Sequence, residues 1–344
     1  MSQQIAKQTF QLVGSNKVYT VDYETGDSGN GIGQGAQGTV YRVAQINGKP
    51  YGTWAIKILV DVPSNIKAKF QERLYALVQF MNGYSVNAEG LSCVPSALLQ
   101  SKPDNKLAIL MRYAPDYDLE NGGKLPPSME NLSQRLAIAF QLAKSIRRLH
   151  EKGTVIGDIS NDNVIVDHLN WALYLIDLDG ISFSLNGKVY PLLTDNSGKG
   201  TFCPPEFNSK NPYTIQMDLW GLATLLHYVL TDYYPMNVFG LARTYANTNA
   251  LPWPPSNHPK INEHLEKINI YGGAIKDAFL TAFNDGRLSP EKRPSALFWE
   301  NLFIEAQKYM YQCNCTKDKP FVAVITNGQQ MNQCPKCGAE IPPR

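Results

Sequence analysis

Gly33-Gln34-Gly35-Ala36-Gln37-Gly38 places three glycines in six positions, and Thr39-Val40-Tyr41-Arg42-Val43 follows, rich in β-branched and aromatic side chains. A GxGxxG run serves two architectures. Where it opens a helix, it is the phosphate turn of a dinucleotide-binding unit. Where it is followed by strand, its glycine backbone can close over a triphosphate. Here strand follows. Asn47-Gly48, a strong two-residue hairpin signal, then separates that strand from Trp54-Ala55-Ile56-Lys57. The feature therefore demands antiparallel sheet, with Lys57 placed to reach phosphates and Val40 placed to pack on a base. A glycine-rich turn beside a snorkelling lysine accounts for each part alone, but the joint spacing favours nucleotide.

The chain has 344 residues, about two domains at roughly 150 residues each. Its charge of 32 − 30 = +2 argues against a dedicated nucleic-acid binder or a polybasic membrane binder. No apolar run has the length of a membrane span, and MSQQIAKQTFQL has no signal-peptide core, so the expectation is a cytoplasmic protein. Residues 8–23 alternate around a Gly14-Ser15-Asn16 turn and predict a strand pair. Phe70, Leu74, Leu77 and Val78 predict a helix over 64–82, and 107–113 reads as a buried strand. Beyond 115 the pattern changes. Helices are predicted over 130–153, 217–231, 273–284 and 295–310, with short strands at 164–166 and 171–178 and a Pro- and Asn-rich excursion at 232–270. The reading is a bilobal α+β body over 28–310, β-rich to about 114 and helical from about 115, preceded by a strand extension over 1–27.

Cysteine usage is uneven. Cys313, Cys315, Cys334 and Cys337 cluster at the C-terminal end, whereas Cys93 and Cys203 stand alone. In a chain without an export signal such clustering points to metal. Cys313-x-Cys315 with Cys334-Pro335-Lys336-Cys337-Gly338 resembles a zinc ribbon, which implies structural Zn2+ on four thiolates and a small β-module over 311–344. Two adventitious or redox-active thiol pairs are the plainer reading.

The GxGxxGxV hairpin followed by Ala-Ile-Lys resembles the eukaryotic-like protein kinase fold of bacterial type, and further motifs arrive in that family's order. The resemblance implies that Gly33, Gly35 and Gly38 cover the phosphates and that Val40 and Ala55 flank the base. It implies that Lys57 holds the α- and β-phosphates and that Glu72 of the 64–82 helix pairs with it. Met111 would be the gatekeeper, Arg112 and Ala114 would offer backbone groups to adenine, and Asp118 would bind ribose. Gly157-Asp158 with Asn163 five residues later matches the catalytic loop, and Ile176-Asp177-Leu178-Asp179-Gly180 supplies the DFG-type aspartate. The implied roles are Asp158 orienting a Ser or Thr hydroxyl and Asn163 with Asp177 holding Mg2+ or Mn2+ beside ATP.

The departures are Ile156 and Gly157 in place of His-Arg, Ser160 in place of a lysine, and Leu178-Asp179 in place of Phe-Gly. They imply a non-RD kinase whose activation loop need not be phosphorylated. GD-x-x-x-x-N with IDLD also resembles aminoglycoside and choline kinases. Pro205-Glu206, Asp218-x-Trp220-x-Leu222 and Arg293-Pro294-Ser295 favour the protein-kinase reading, with Arg293 expected to pair with Glu206. A nucleotide-binding pseudokinase scaffold is the competing class. Ser197 is the expected phosphosite, and Thr201 a structural residue near Asp158. The combination with a ribbon is also similar to kinases encoded with a phosphatase 2C and a von Willebrand A-domain protein in tellurite-resistance-type clusters, which implies those two proteins as partners.

Overall fold

The computed structural model describes residues 4–26, 31–35, 37–82, 93–114, 117–118, 131–167, 169–193, 202–207, 210–235, 253, 261–316, 320–323 and 329–343. The chain divides into two compact units. The first comprises Met1–Pro115 and Tyr174–Pro191, and the second comprises Asp116–Leu173 and Leu192–Arg344.

In the first unit, β1 (Gln4–Leu12), β2 (Val18–Thr25), β3 (Gly33–Gly35), β4 (Gly38–Ile46), β5 (Lys49–Pro50) and β6 (Trp54–Leu59) precede α1 (Ser64–Asn82), and β7 (Ala97–Ser101) and β8 (Leu107–Arg112) follow it. Asn47 and Gly48 both have positive φ (50° and 75°), which is what the predicted Asn-Gly hairpin turn requires. The strands run β2-β1-β7-β8-β6-β4-β3, and β2 pairs with β4 as well, so the sheet closes into a barrel. The long strand β4 permits this, because its first residues pair with β3 and its last, Val43 to Ile46, pair with β2. Phe10, Val21, Tyr23, Val43, Ile56, Leu99 and Ala108 fill one shared core. The 1–27 segment is therefore integral to the first unit. Strand periodicity alone reads it as an N-terminal strand extension, because it does not reveal the strands' partners.

The first unit also takes in residues 174–191, which the sequence reading placed with the helical part. Here β12 (Phe183–Leu185) and β13 (Lys188–Tyr190) form a hairpin whose Asn186 and Gly187 have φ of 51° and 78°. Phe183 packs against Phe80 of α1 and stacks on Tyr190. This hairpin was missed, although Asn186-Gly187 is the same signal as Asn47-Gly48.

In the second unit, β9 (Tyr117–Asp118) pairs with β10 (Val164–Asp167), and α2 (Leu132–His150) begins at an Asn131 cap whose side chain accepts from Ser133 N. After β11 (Ala172–Leu175) and α3 (Ile215–Thr231) come α4 (Ile261–Asn269), α5 (Gly273–Leu280), the short α6 (Gly286–Leu288) and α7 (Ala296–Lys308). The helix α3 is buried nearly all round, as its nearly all-round apolar character demands. Its Trp220 meets Phe283 edge-on, and Trp253, Phe279 and Trp299 complete the aromatic cluster. The helix α4 lies at the end of the segment read as a Pro- and Asn-rich excursion. Finally β14 (Met310–Tyr311) pairs with β15 (Phe321–Val322) one residue past α7. The main chain of Val322 donates to Ile270 O at 2.7 Å, so this small module is bonded to the α4–α5 junction. Among the described residues no helix is long and apolar enough to cross a membrane.

Candidate active site and metal centre

The glycine hairpin is formed by β3 and β4, in register Gly33↔Val40 and Gly35↔Gly38. A Cβ on Gly38 would sit 2.4 Å from Ile58 O, so the turn back into the sheet admits only glycine there. A Cβ on Gly33, by contrast, would meet open space. Val40 stands opposite Lys57, and Ala55 opposite Met111. Cross-strand partners share a face, and alternate residues of one strand do too, so Val40, Ala55, Lys57 and Met111 lie on one side of the sheet. The alternate positions, led by Ile56, turn into the barrel. At the end of β8, Arg112 stacks on Trp54 and donates to Thr53 Oγ1, and Ala114 is buried. The side chain of Asp118 lies outside the described residues, as do Ser197 and Thr201 entirely.

Lys57 is buried, and its ammonium donates to Asp177 Oδ1, to both oxygens of Asp179 at 3.0 and 3.1 Å, and to Gln37 Oε1 at 3.4 Å. Burial opposes a charged ammonium. The two carboxylates outweigh it, Asp179 first, and hold the Lys57 pKa above its ordinary value. Asp179 is pushed up as well, to about 6, by burial first and by the neighbouring Asp177, against the pull of the Lys57 ammonium. Asp177 itself adopts a left-handed conformation with φ 57°.

The expected partner of Lys57 is not the one found. Glu72 is exposed on α1 and pairs with Lys188. Its neighbour Arg73 occupies the inward position and donates to the carbonyls of Asp179 (2.9 Å), Gly180 (3.3 Å), Ile181 and Pro191 (3.2 Å). The reason is helical phase. Residue 73 is three after Phe70 and four before Leu77, on the apolar stripe, whereas residue 72 is rotated off it. That spacing was available in the sequence.

In the second unit Asn161–Asn163 form a 3-10 turn, and Asn163 Nδ2 donates to Asp158 O at 2.9 Å. This bond uses one amide hydrogen and leaves the side-chain oxygen as the atom suited to a cation. Asp218, fully buried on α3, accepts from Ile156 N and Gly157 N and meets His150 Nε2. His150, at the end of α2, thus supplies an imidazole beside the loop that carries Ile156 where the kinase pattern has histidine. Gly157 has φ 80°, and a Cβ there would also approach Leu192 Cδ2 to 2.8 Å. Arg293 makes a bidentate pair with Glu206 at 2.6 and 2.7 Å and donates to Gln216 O and Gly286 O.

The four late cysteines converge. Their sulfurs all lie within 4.8 Å of one another, with Cys313···Cys337 at 3.6 Å and Cys315···Cys334 at 3.7 Å. A tetrahedron of thiolates with metal–sulfur bonds of about 2.3 Å has sulfur separations of about 3.8 Å, whereas a disulfide needs about 2.05 Å. The donor set therefore fits a metal. Main-chain N–H groups of Lys336 and Cys337 pull the Cys334 thiol down to about 7, which favours the thiolate a metal requires. Gly338, φ 73°, donates its N–H to Cys334 O and closes the knuckle.

The protein kinase domain family model matches residues 27–265. The chain belongs to the protein kinase family. Among curated proteins this kinase domain is similar to the MAP kinase kinase MKK1/SSP32 of Saccharomyces cerevisiae, 23% identical over 258 residues, covering 71% of this chain and 46% of that protein. It is also similar to the probable serine/threonine-protein kinase vps15 of Dictyostelium discoideum (26% over 195 residues, 53% and 9%). The serine/threonine-protein kinase shk2 of Schizosaccharomyces pombe is a third (23% over 199 residues, 57% and 31%). The chain spans less than half the length of each of these three relatives. The matched kinase domain ends before Cys313, so the cysteine module lies outside it.

Proposed function

We propose that this chain is a protein serine/threonine kinase, transferring the γ-phosphoryl group of Mg-ATP to a protein hydroxyl. The observation that carries the reading is the meeting of Lys57 with Asp177, 120 residues apart in sequence, on the side of the sheet where Val40 and Ala55 lie beneath the glycine hairpin. A buried ammonium, an aspartate that can turn toward a cation and open glycine backbone form a donor and acceptor set suited to a magnesium triphosphate. In this reading Gly33, Gly35, Gly38 and Lys57 hold the phosphates, Asp177 and Asn163 take Mg2+, and Met111, Arg112 and Ala114 border the base. Asp158 accepts a hydrogen bond from the acceptor hydroxyl and aligns it for in-line attack. Mg2+ supplies charge neutralisation on the phosphoryl oxygens when bound.

The kinase is of non-RD type in this reading. Position 157 is a glycine in the left-handed region, so no arginine is available there to read a phosphorylated activation loop. The cysteine cluster holds one structural Zn2+ with all four positions filled by protein, which gives it no catalytic opening. The test is transfer of radiolabel from γ-labelled ATP to a generic protein acceptor, comparing wild type with Asp158→Ala and Asp177→Ala. Transfer that needs both aspartates supports the reading. Nucleotide binding without transfer favours a pseudokinase scaffold, and transfer to aminoglycosides or similar alcohols instead of protein favours a small-molecule kinase.

A further inference from the structure

We propose that Asp179 positions Lys57 for nucleotide, in place of a carboxylate from α1, and that Arg73 fixes α1 to the segment carrying Asp179 by hydrogen bonds to its main-chain carbonyls. The inference rests on the nucleotide-binding reading above. All the residues concerned belong to the first unit. Lys57 has three N–H donors and two carboxylates to satisfy them. The two carboxylates differ in exposure: the side chain of Asp177 is 44% exposed, that of Asp179 only 4%. Asp177 can therefore turn toward a cation at the surface. Asp179 remains, holding the ammonium through both oxygens.

The helix cannot take that part. Its inward-facing position carries Arg73, a cation, and a second cation cannot balance a buried ammonium. Arg73 instead spends its donors on four backbone oxygens between Asp179 and Pro191, with the ring of Phe183 at 5.4 Å beneath the guanidinium. The placement of α1 is thus registered on that backbone, while the geometry of Lys57 is set by a residue outside the helix.

A thermodynamic cycle on the full chain tests this, with Mg-ATP affinity measured calorimetrically for wild type, Asp179→Asn, Lys57→Met and the double variant. Asp179→Asn is expected to weaken binding at least about tenfold, without changing the Mg2+ concentration for half-saturation. The double variant is expected to bind within about twofold of Lys57→Met, since Asp179 acts through Lys57. A weakening by Asp179→Asn that persists in the Lys57→Met background overturns the proposal. So does an equal weakening by Glu72→Gln, whose side chain meets Lys188 instead. A second readout needs no nucleotide, and so separates this proposal from the kinase reading. Acylation of Lys57 in nucleotide-free protein, followed by peptide mass spectrometry, is expected to speed up at least about fivefold in Asp179→Asn. Equal rates overturn the pairing even where wild type transfers phosphate. If Asp179→Asn alone fails to fold, folding of the double variant, which buries neither charge, supports the pair. Failure of both overturns it.

Discussion

The carboxylate of Asp218 accepts the main-chain N–H of Gly157 at 2.9 Å, at a point with no solvent exposure. Its other oxygen takes Ile156 N at 2.7 Å and lies 3.1 Å from His150 Nε2. The backbone immediately before Asp158 is therefore fixed by a side chain from α3. Asp218→Asn presents an amide N–H₂ where an acceptor is needed, leaving a buried main-chain donor unsatisfied at a cost of about 1–3 kcal/mol. Phosphoryl transfer is expected to fall at least tenfold. The KM for ATP should stay within about threefold, since Lys57 and the glycine hairpin belong to the other unit. Steady-state kinetics at varied ATP check both, and a rise in KM alone contradicts the assignment.

Gly157 stands where an arginine would make the loop RD-like, and its backbone explains the absence. A non-glycine residue at φ 80° costs about 1–3 kcal/mol, and the Leu192 side chain crowds the Cβ position. Gly157→Arg is expected to lower the melting temperature by several degrees and to reduce activity. Calorimetry and a transfer assay decide the matter, and a more active variant would show that the loop relaxes at no cost.

Arg293 is another buried cation, its side chain wholly inaccessible and its fork matched to both oxygens of Glu206. Removing one partner of such a pair costs about 3–5 kcal/mol. Glu206→Gln should destabilise the second unit by an amount in that range. Arg293→Lys should not rescue the pair, because a single ammonium cannot replace a bidentate fork. Urea unfolding followed by tryptophan fluorescence measures both, since Trp220 lies beneath the guanidinium at 5.1 Å.

Much of this was legible in sequence because it depends on local pattern. The Asn47-Gly48 turn, the apolar stripe of α1, the mostly apolar α3 and the spacing within each cysteine pair act over a few residues. The pairing of Arg293 with Glu206 was also foreseen, through motif order. What escaped depends on partners remote in sequence. No periodicity in residues 4–25 says that they pair with 43–46 and 99–101 to close a barrel. Glu72 was chosen over Arg73 by residue type, whereas helical phase decided otherwise. Asp179 was read as a missing glycine and not as an added carboxylate, because its partner lies 122 residues away.

Among the described residues, the cysteine module encloses a small core of Phe321, Ala323 and Ile341 around Cys313 and Cys334, with Tyr311 and Met331 beside it. With so little apolar surface, the proposed zinc would contribute folding free energy to this module, beside its bond to Ile270 O. Protein purified without chelator is expected to contain about one equivalent of zinc by atomic emission, and Cys334→Ser close to none. Cobalt substitution should give the intense sulfur-to-metal absorption of a tetrahedral thiolate site. A metal content below half an equivalent, with no cobalt spectrum, would contradict the assignment.

The composition of the first unit has a consequence for synthesis. A ribosome that has made residues 1–115 has produced every strand of the barrel, and Lys57 with them. The carboxylates that let that ammonium be buried arrive only with residues 177 and 179. A nascent chain stopped at Pro115 must therefore leave Lys57 hydrated or hold an uncompensated charge, and the first unit cannot mature until much of the second has emerged. The order of translation thus delays completion of the nucleotide-facing surface, although the chain for its barrel is made first.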